Sequence, residues 1–105
     1  MTDPTLVFAG EGRTGSRLVV NFGVFAGREA TEAEIYRLAQ VLLDELDSVE
    51  IVSEQRFEFA DGVEATVHQV CVDLPRAAEG RELELASLVE VWAKDAIGER
   101  SRIAP

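Results

Sequence analysis

"VEIVSEQRFEFADGVEATVHQVCVDLP", residues 49–75, holds two runs on either side of Asp61-Gly62, each rich in alternating and β-branched residues. Alternation at period two marks a strand with two different faces. Asp-Gly between such runs is a strong hairpin signal, because a type I′ turn needs positive φ at both central residues. A two-residue turn at Asp61-Gly62 fixes the register. Ala60 then pairs with Val63, Phe57 with Thr66, Gln55 with His68, Ser53 with Val70 and Ile51 with Val72. Directly paired residues share a face of the sheet. One face therefore carries Ile51, Phe57, Phe59, Val70, Val72 and Leu74, and is the expected core face. A slip of one residue would reverse every assignment.

The same register sets Ser53, Gln55, Thr66 and His68 together in the middle of that face. Polar atoms inside a core need hydrogen-bond partners. The four are therefore either an internal hydrogen-bonded group or the lining of a pocket under the helices. In the second case His68 is the candidate acid or base, since imidazole titrates near neutral pH. The opposite face carries Glu50, Val52, Glu54, Arg56 and Glu58 with Ala65, Val67, Gln69, Cys71 and Asp73. Val52, Val67 and Cys71 form a modest apolar patch there, and Arg56 between glutamates suggests cross-strand ion pairs. A second subunit stacked on this face would cover the patch.

Outward from the hairpin, "TEAEIYRLAQVLLDELD", residues 31–47, reads as a helix. Thr31 and Glu34 have the spacing of a capping box. Ile35, Leu38, Ala39, Leu42 and Leu46 form its apolar stripe. "EGRELELASLVEVWAKDAIGE", residues 79–99, holds a second helix with the stripe Leu85, Leu88, Val89, Trp92 and Ala96, and Gly98 as its expected C-terminal cap. Leu83 and Val91 lie off that stripe. "TLVFA", residues 5–9, and "SRLVVNFGVFAG", residues 16–27, read as two strands joined by a glycine loop. The order is ββαββα in one domain, with short flexible ends at about 1–4 and 99–105. The expected fold class is α+β: a four-stranded antiparallel sheet, with two helices on one face in a ferredoxin-like arrangement.

The glycine loop, "AGEGRTGS" at residues 9–16, carries a GxGxxG spacing at Gly10, Gly12 and Gly15. A dinucleotide fingerprint needs a helix after the last glycine, where the N-terminus holds the pyrophosphate. Here a strand follows. A Walker loop needs a lysine, and Lys94 is the only one in the chain. A kinase glycine loop joins two strands but wants valine at the position of Arg17 and a lysine on the next strand. The stretch reads as a hairpin connection, with Arg13 at its tip.

Twenty acidic against ten basic residues give a net charge of −10 over 105 residues. Such a chain, with no basic run, is not expected to bind nucleic acid or an anionic membrane. One cysteine, Cys71, excludes an intramolecular disulfide. No basic residue is placed to activate it, so it reads as a small apolar filler. Structural zinc needs four ligands, and no metal or other cofactor is expected. The first residues lack the pattern of a secretory signal, and no apolar run approaches the ~20 residues of a membrane span. A cytoplasmic protein is expected. Functionally, the residues point to a homo-oligomeric module, a homodimer above all, that binds proteins or an unidentified small ligand. The alternative is a small cofactor-free enzyme, an isomerase or lyase, working at His68 with Gln55, Ser53 and Thr66. A third class, an accessory protein bound to a basic partner, follows from the charge alone.

Overall fold

The computed structural model describes residues 6–11 and 15–103, with side chains described as far as 98. In chain order the elements are β1 (Val7–Glu11), β2 (Ser16–Val20), α1 (Phe22–Ala26), α2 (Glu32–Leu43), β3 (Glu50–Ala60), β4 (Val63–Asp73) and α3 (Glu82–Ile103). A single 3-10 turn, Arg76–Ala78, leads from β4 into α3.

The hairpin has the register its turn demands. Asp61 has φ 51° and Gly62 φ 75°, so both central residues lie in the left-handed region. Pairing runs without a bulge from Ala60↔Val63 to Glu50↔Asp73. β2 pairs antiparallel with the other side of β4, and β1 with β2, giving the order β1-β2-β4-β3. The fold is thus α+β with a four-stranded antiparallel open sheet. β2 and β3 both run opposite to β4, so they are parallel to one another with β4 inserted between them. This is a split βαβ unit, preceded by one extra strand. A ferredoxin-like chain runs βαββαβ; the order here, opening on a hairpin, does not establish that arrangement.

The residues 16–27 are not one strand. The strand stops at Val20, and Phe22–Ala26 form a short helix closed by Gly27 in the left-handed conformation at φ 71°. The described residues accordingly form three α-helices rather than the expected two. Phe22 explains the break. Its ring is fully buried, 5.7 Å from the Trp92 ring, and the Arg28 guanidinium lies 5.2 Å from its centre. Strand propensity yields where tertiary packing favours another conformation.

Leu18 and Val20 of β2 and Val70 and Val72 of β4 meet Leu38 and Leu42 of α2 and Leu85, Val89 and Trp92 of α3 in one buried cluster. Both helix stripes face the sheet as their spacing requires. α3 does not end at Gly98 but continues through Ile103, so Gly98 lies inside a helix. Glu34 ties three elements together. Its carboxylate accepts from both terminal nitrogens of Arg28 (2.8 and 2.9 Å) and from the Thr31 backbone N–H (2.8 Å). Its own N–H donates to Thr31 Oγ1, completing the capping box, and its carbonyl accepts from Trp92 Nε1 at 2.8 Å. These donors hold the Glu34 carboxyl down at about 2; the Arg28 guanidinium is the largest cause.

Candidate functional site

Helices cover only one face of the sheet. On the other, a row of paired residues crosses all four strands: Phe8↔Val19 on β1 and β2, Val19↔Cys71 on β2 and β4, and Cys71↔Val52 on β4 and β3. The central pair, Val19 and Cys71, is buried within the single chain, while Phe8 and Val52 at the rims stay 40% and 37% exposed. The row is framed by polar groups that satisfy one another. Arg17 grips Asp73 with Nε to Oδ1 at 2.9 Å and Nη2 to Oδ2 at 3.2 Å. Gln69 Nε2 donates to Asn21 Oδ1 at 2.7 Å. Arg56 reaches Gln69 Oε1 at 3.5 Å, a long contact. The Cys71 thiol donates to Glu54 Oε1 at 3.4 Å. Burial first, and the Glu54 carboxylate second, push that thiol up to about 11. It stays protonated at neutral pH and is no nucleophile.

The residues singled out around His68 do share a face, as the register requires, but that face is not closed over them. Ser53, Gln55 and Thr66 are exposed, and His68 is 31% exposed with Nδ1 3.8 Å from Glu29 Oε2. Phe57 and Phe59, expected in the core, are 58% and 72% exposed. The cause is the length of β2. Its pairing with β4 ends at Val20↔Val70, so β4 from Val63 to Gln69 pairs only with β3. The hairpin therefore projects past the body as a two-stranded arm. α1 takes the place that a longer β2 would have had. Gly23 stands so close to β4 that a Cβ there would lie 2.8 Å from His68 N and 2.9 Å from His68 O. His68 thus sits where the arm leaves the body.

Two clefts lie elsewhere. The larger, about 380 Å³, is lined by Gly15, Ser16, Leu74, Pro75, Arg76, Ala78, Glu79 and Glu82. Ser16 Oγ donates across it to Glu82 Oε1 at 3.1 Å. The smaller, about 220 Å³, is apolar and lies between α2 and β3, walled by Ile35, Tyr36, Ala39, Val49 and Ile51. Neither includes Ser53, Gln55, Thr66 or His68. Among the described residues no group of three His, Cys, Asp or Glu side chains is arranged to hold a metal ion, and no helix is long and apolar enough to cross a membrane. Arg13 lies outside the described residues.

Comparison with protein-family models, with curated proteins and with solved structures gives no match. The open-face row includes two residues that hairpin reasoning missed. Phe8 and Val19 were legible only as strand residues, because their partners depend on β2 lying beside β4. No local signal states that adjacency.

Proposed function

We propose that this chain is a cytoplasmic, non-enzymatic protein-interaction module that forms a homodimer through the open face of its sheet. The apolar row Phe8, Val19, Cys71 and Val52 carries the reading. A two-fold axis through the row sets the same residues of two copies against each other, the isologous contact of a closed dimer. The ion pair Arg17–Asp73 and the Asn21–Gln69 hydrogen bond already satisfy polar groups beside it, while Glu50, Glu54, Arg56 and Glu58 along β3 form the charged rim of the interface. Strands 4.8 Å apart rising ~3.4 Å per residue give the face a footprint of roughly 500 Å². That is of the order of the ~800 Å² of accessible surface that each partner of a standard interface buries.

Light scattering and sedimentation test this directly. The wild-type chain is expected to be a dimer, and the double substitution Phe8→Ser with Val52→Glu a folded monomer. Both side chains stand at the rim, so the core cluster is untouched. A wild-type chain that stays monomeric as its concentration is raised sinks the reading. The isomerase or lyase alternative needs a closed pocket at His68, and the exposure of Ser53, Gln55 and Thr66 gives it no support. On the interaction reading, His68→Ala leaves dimer formation unchanged.

A further inference from the structure

We propose that the free edge of β3 takes up an extended, basic peptide segment of a partner protein as a fifth strand, with one apolar side chain of that segment in the cleft between β3 and α2. Among the described residues β3 ends the sheet and pairs only with β4. The tight turn makes Ala60↔Val63 a hydrogen-bonded pair, and such pairs alternate along an antiparallel ladder. The main-chain N–H and C=O groups of Ile51, Ser53, Gln55 and Phe57 therefore point away from β4, unclaimed by the ladder. Natural edges are blunted by proline, bulges or short length. β3 has eleven residues, no proline and an unbroken register. Carboxylates are its main protection.

Those carboxylates set the partner's chemistry. Glu50, Glu54 and Glu58 recur at every fourth position on the open-face side of the strand, against one cation, Arg56. A second copy pairing here would bring the same excess of negative charge to an edge already negative, and like charges opposite one another destabilise a ladder. A basic strand neutralises it. On the other side of the strand the alternate positions lead into the apolar cleft of about 220 Å³ beside Ile51, walled by Ile35, Tyr36, Ala39 and Val49. That volume suits a single side chain rather than a small-molecule ligand, whose pockets run to about 300 Å³ and more. The two sides of β3 thus ask for one period-two pattern. Lysine or arginine faces the glutamates, and an aliphatic residue enters the cleft. Strand addition obtains affinity from the main chain and specificity from such alternate pockets. This inference deepens the interaction reading by naming a partner; it uses the main-chain edge of β3, which adjoins the rim of the proposed dimer face at Val52.

The experiment is an NMR titration of the ¹⁵N-labelled full chain with a capped peptide of alternating lysine and valine. Expected are saturable shifts at the Ile51, Ser53 and Gln55 amides and at residues of the cleft wall. Roughly tenfold weakening is expected as salt is raised from about 0.05 to about 0.5 M. A peptide of the same sequence N-methylated at alternate residues is expected to bind at least tenfold more weakly, because it keeps charge and shape but loses the main-chain donors. Ala39→Phe, which fills the cleft from a half-buried position, is expected to do the same. Equal binding of the methylated peptide, equal binding of a glutamate–valine peptide, or shifts confined to the Phe8–Val52 row would each overturn the proposal. So would edge shifts that follow protein concentration without peptide, since the occupant would then be a second copy. Phe8→Glu, on β1 at the far edge of the sheet, is expected to break the dimer and to bind the peptide like wild type, whereas Val52→Glu adds a carboxylate between Glu50 and Glu54 and is expected to bind it more tightly. Failure of the dimer and failure of the peptide site are therefore read separately.

Discussion

Gly23→Ala and Gly98→Ala place the same atom in two helices and are expected to move stability in opposite directions. Both changes gain up to about 1 kcal/mol from the preference of alanine over glycine inside a helix. At Gly98 a Cβ meets nothing within 4 Å, so that gain stands alone. At Gly23 the new Cβ lies 2.8 Å from His68 N, 2.9 Å from His68 O and 3.0 Å from His68 Cβ. The first two are main-chain atoms of β4, whose chain is fixed by the ladder at Val67 and Gln69 on either side of His68, and they cannot swing aside as a side-chain tip would. Overpacking costs about 1–3 kcal/mol, and the fixed neighbour puts this case in the upper half of that range. The net loss is about 1–2 kcal/mol. At about 4–8 °C per kcal/mol for a domain near this size, Tm falls by ~5–15 °C, while Gly98→Ala raises it by a few degrees. Thermal unfolding by circular dichroism reads both. The mutant Gly23→Ala also shifts α1, so the His68 and Gln69 amides are expected to move in an NMR spectrum while those of α3 hold. A Tm for Gly23→Ala equal to or above wild type would show that α1 does not pack on β4 as closely as described, and the account of the arm would fall with it.

Acid should weaken the fold through Glu34. Its folded carboxyl is depressed to about 2 from an ordinary 4.5, so its contribution is complete above ~4.5 and is lost as pH falls toward 2. Glu34→Gln is expected to be less stable than wild type at neutral pH and to lose less between pH 5 and 2; parallel acid profiles for the two chains would contradict this. Thr31→Ala removes only the cap and is expected to cost about 1 kcal/mol in denaturant unfolding. Phe22→Ala, which empties the contact with Trp92, is expected to cost about 3–5 kcal/mol and to quench the difference between native and unfolded Trp92 fluorescence. Cys71, 2% exposed and with its thiol raised to about 11, is expected to react with a disulfide reagent only after unfolding; rapid labelling of the native chain would refute that placement.

Where the fold was legible, one local signal was enough. Asp61-Gly62 allows a single register, and the register assigned every residue of β3 and β4 to its face. Thr31 and Glu34 announced α2, and two apolar stripes announced which helix sides are buried. Residues 16–27 were misread because valine and phenylalanine favour strands wherever they are read alone. Asn21 and Gly27 do bracket five residues as start and stop signals of a helix. They are overruled by strand propensity until Phe22 is known to meet Trp92, 70 positions away. The end of α3 was misread by the same logic: Gly98 is a common cap, but glycine is tolerated where the flanking residues carry the helix onward.

The candidate site was less legible than the fold for one physical reason. Register says which face a residue occupies, not how far the covering layer extends. Phe57, Phe59, Ser53, Gln55, Thr66 and His68 were all placed on their proper face, yet the core ends at Val70. The limit is set by β2, which pairs with only four residues of β4. Beyond it a two-stranded hairpin stands, an arrangement that is marginal alone in water. α1 braces the root of that arm through Gly23 and His68, while the arm keeps Phe57 and Phe59 exposed. The helices cover one sheet face and the arm leaves Phe57 and Phe59 exposed, so these surfaces are the ones the proposed interactions would use. The single histidine lies at the root of that arm, outside both clefts described, so His68→Ala separates the proposed interaction from the enzyme alternative: the first expects dimer formation to be unchanged.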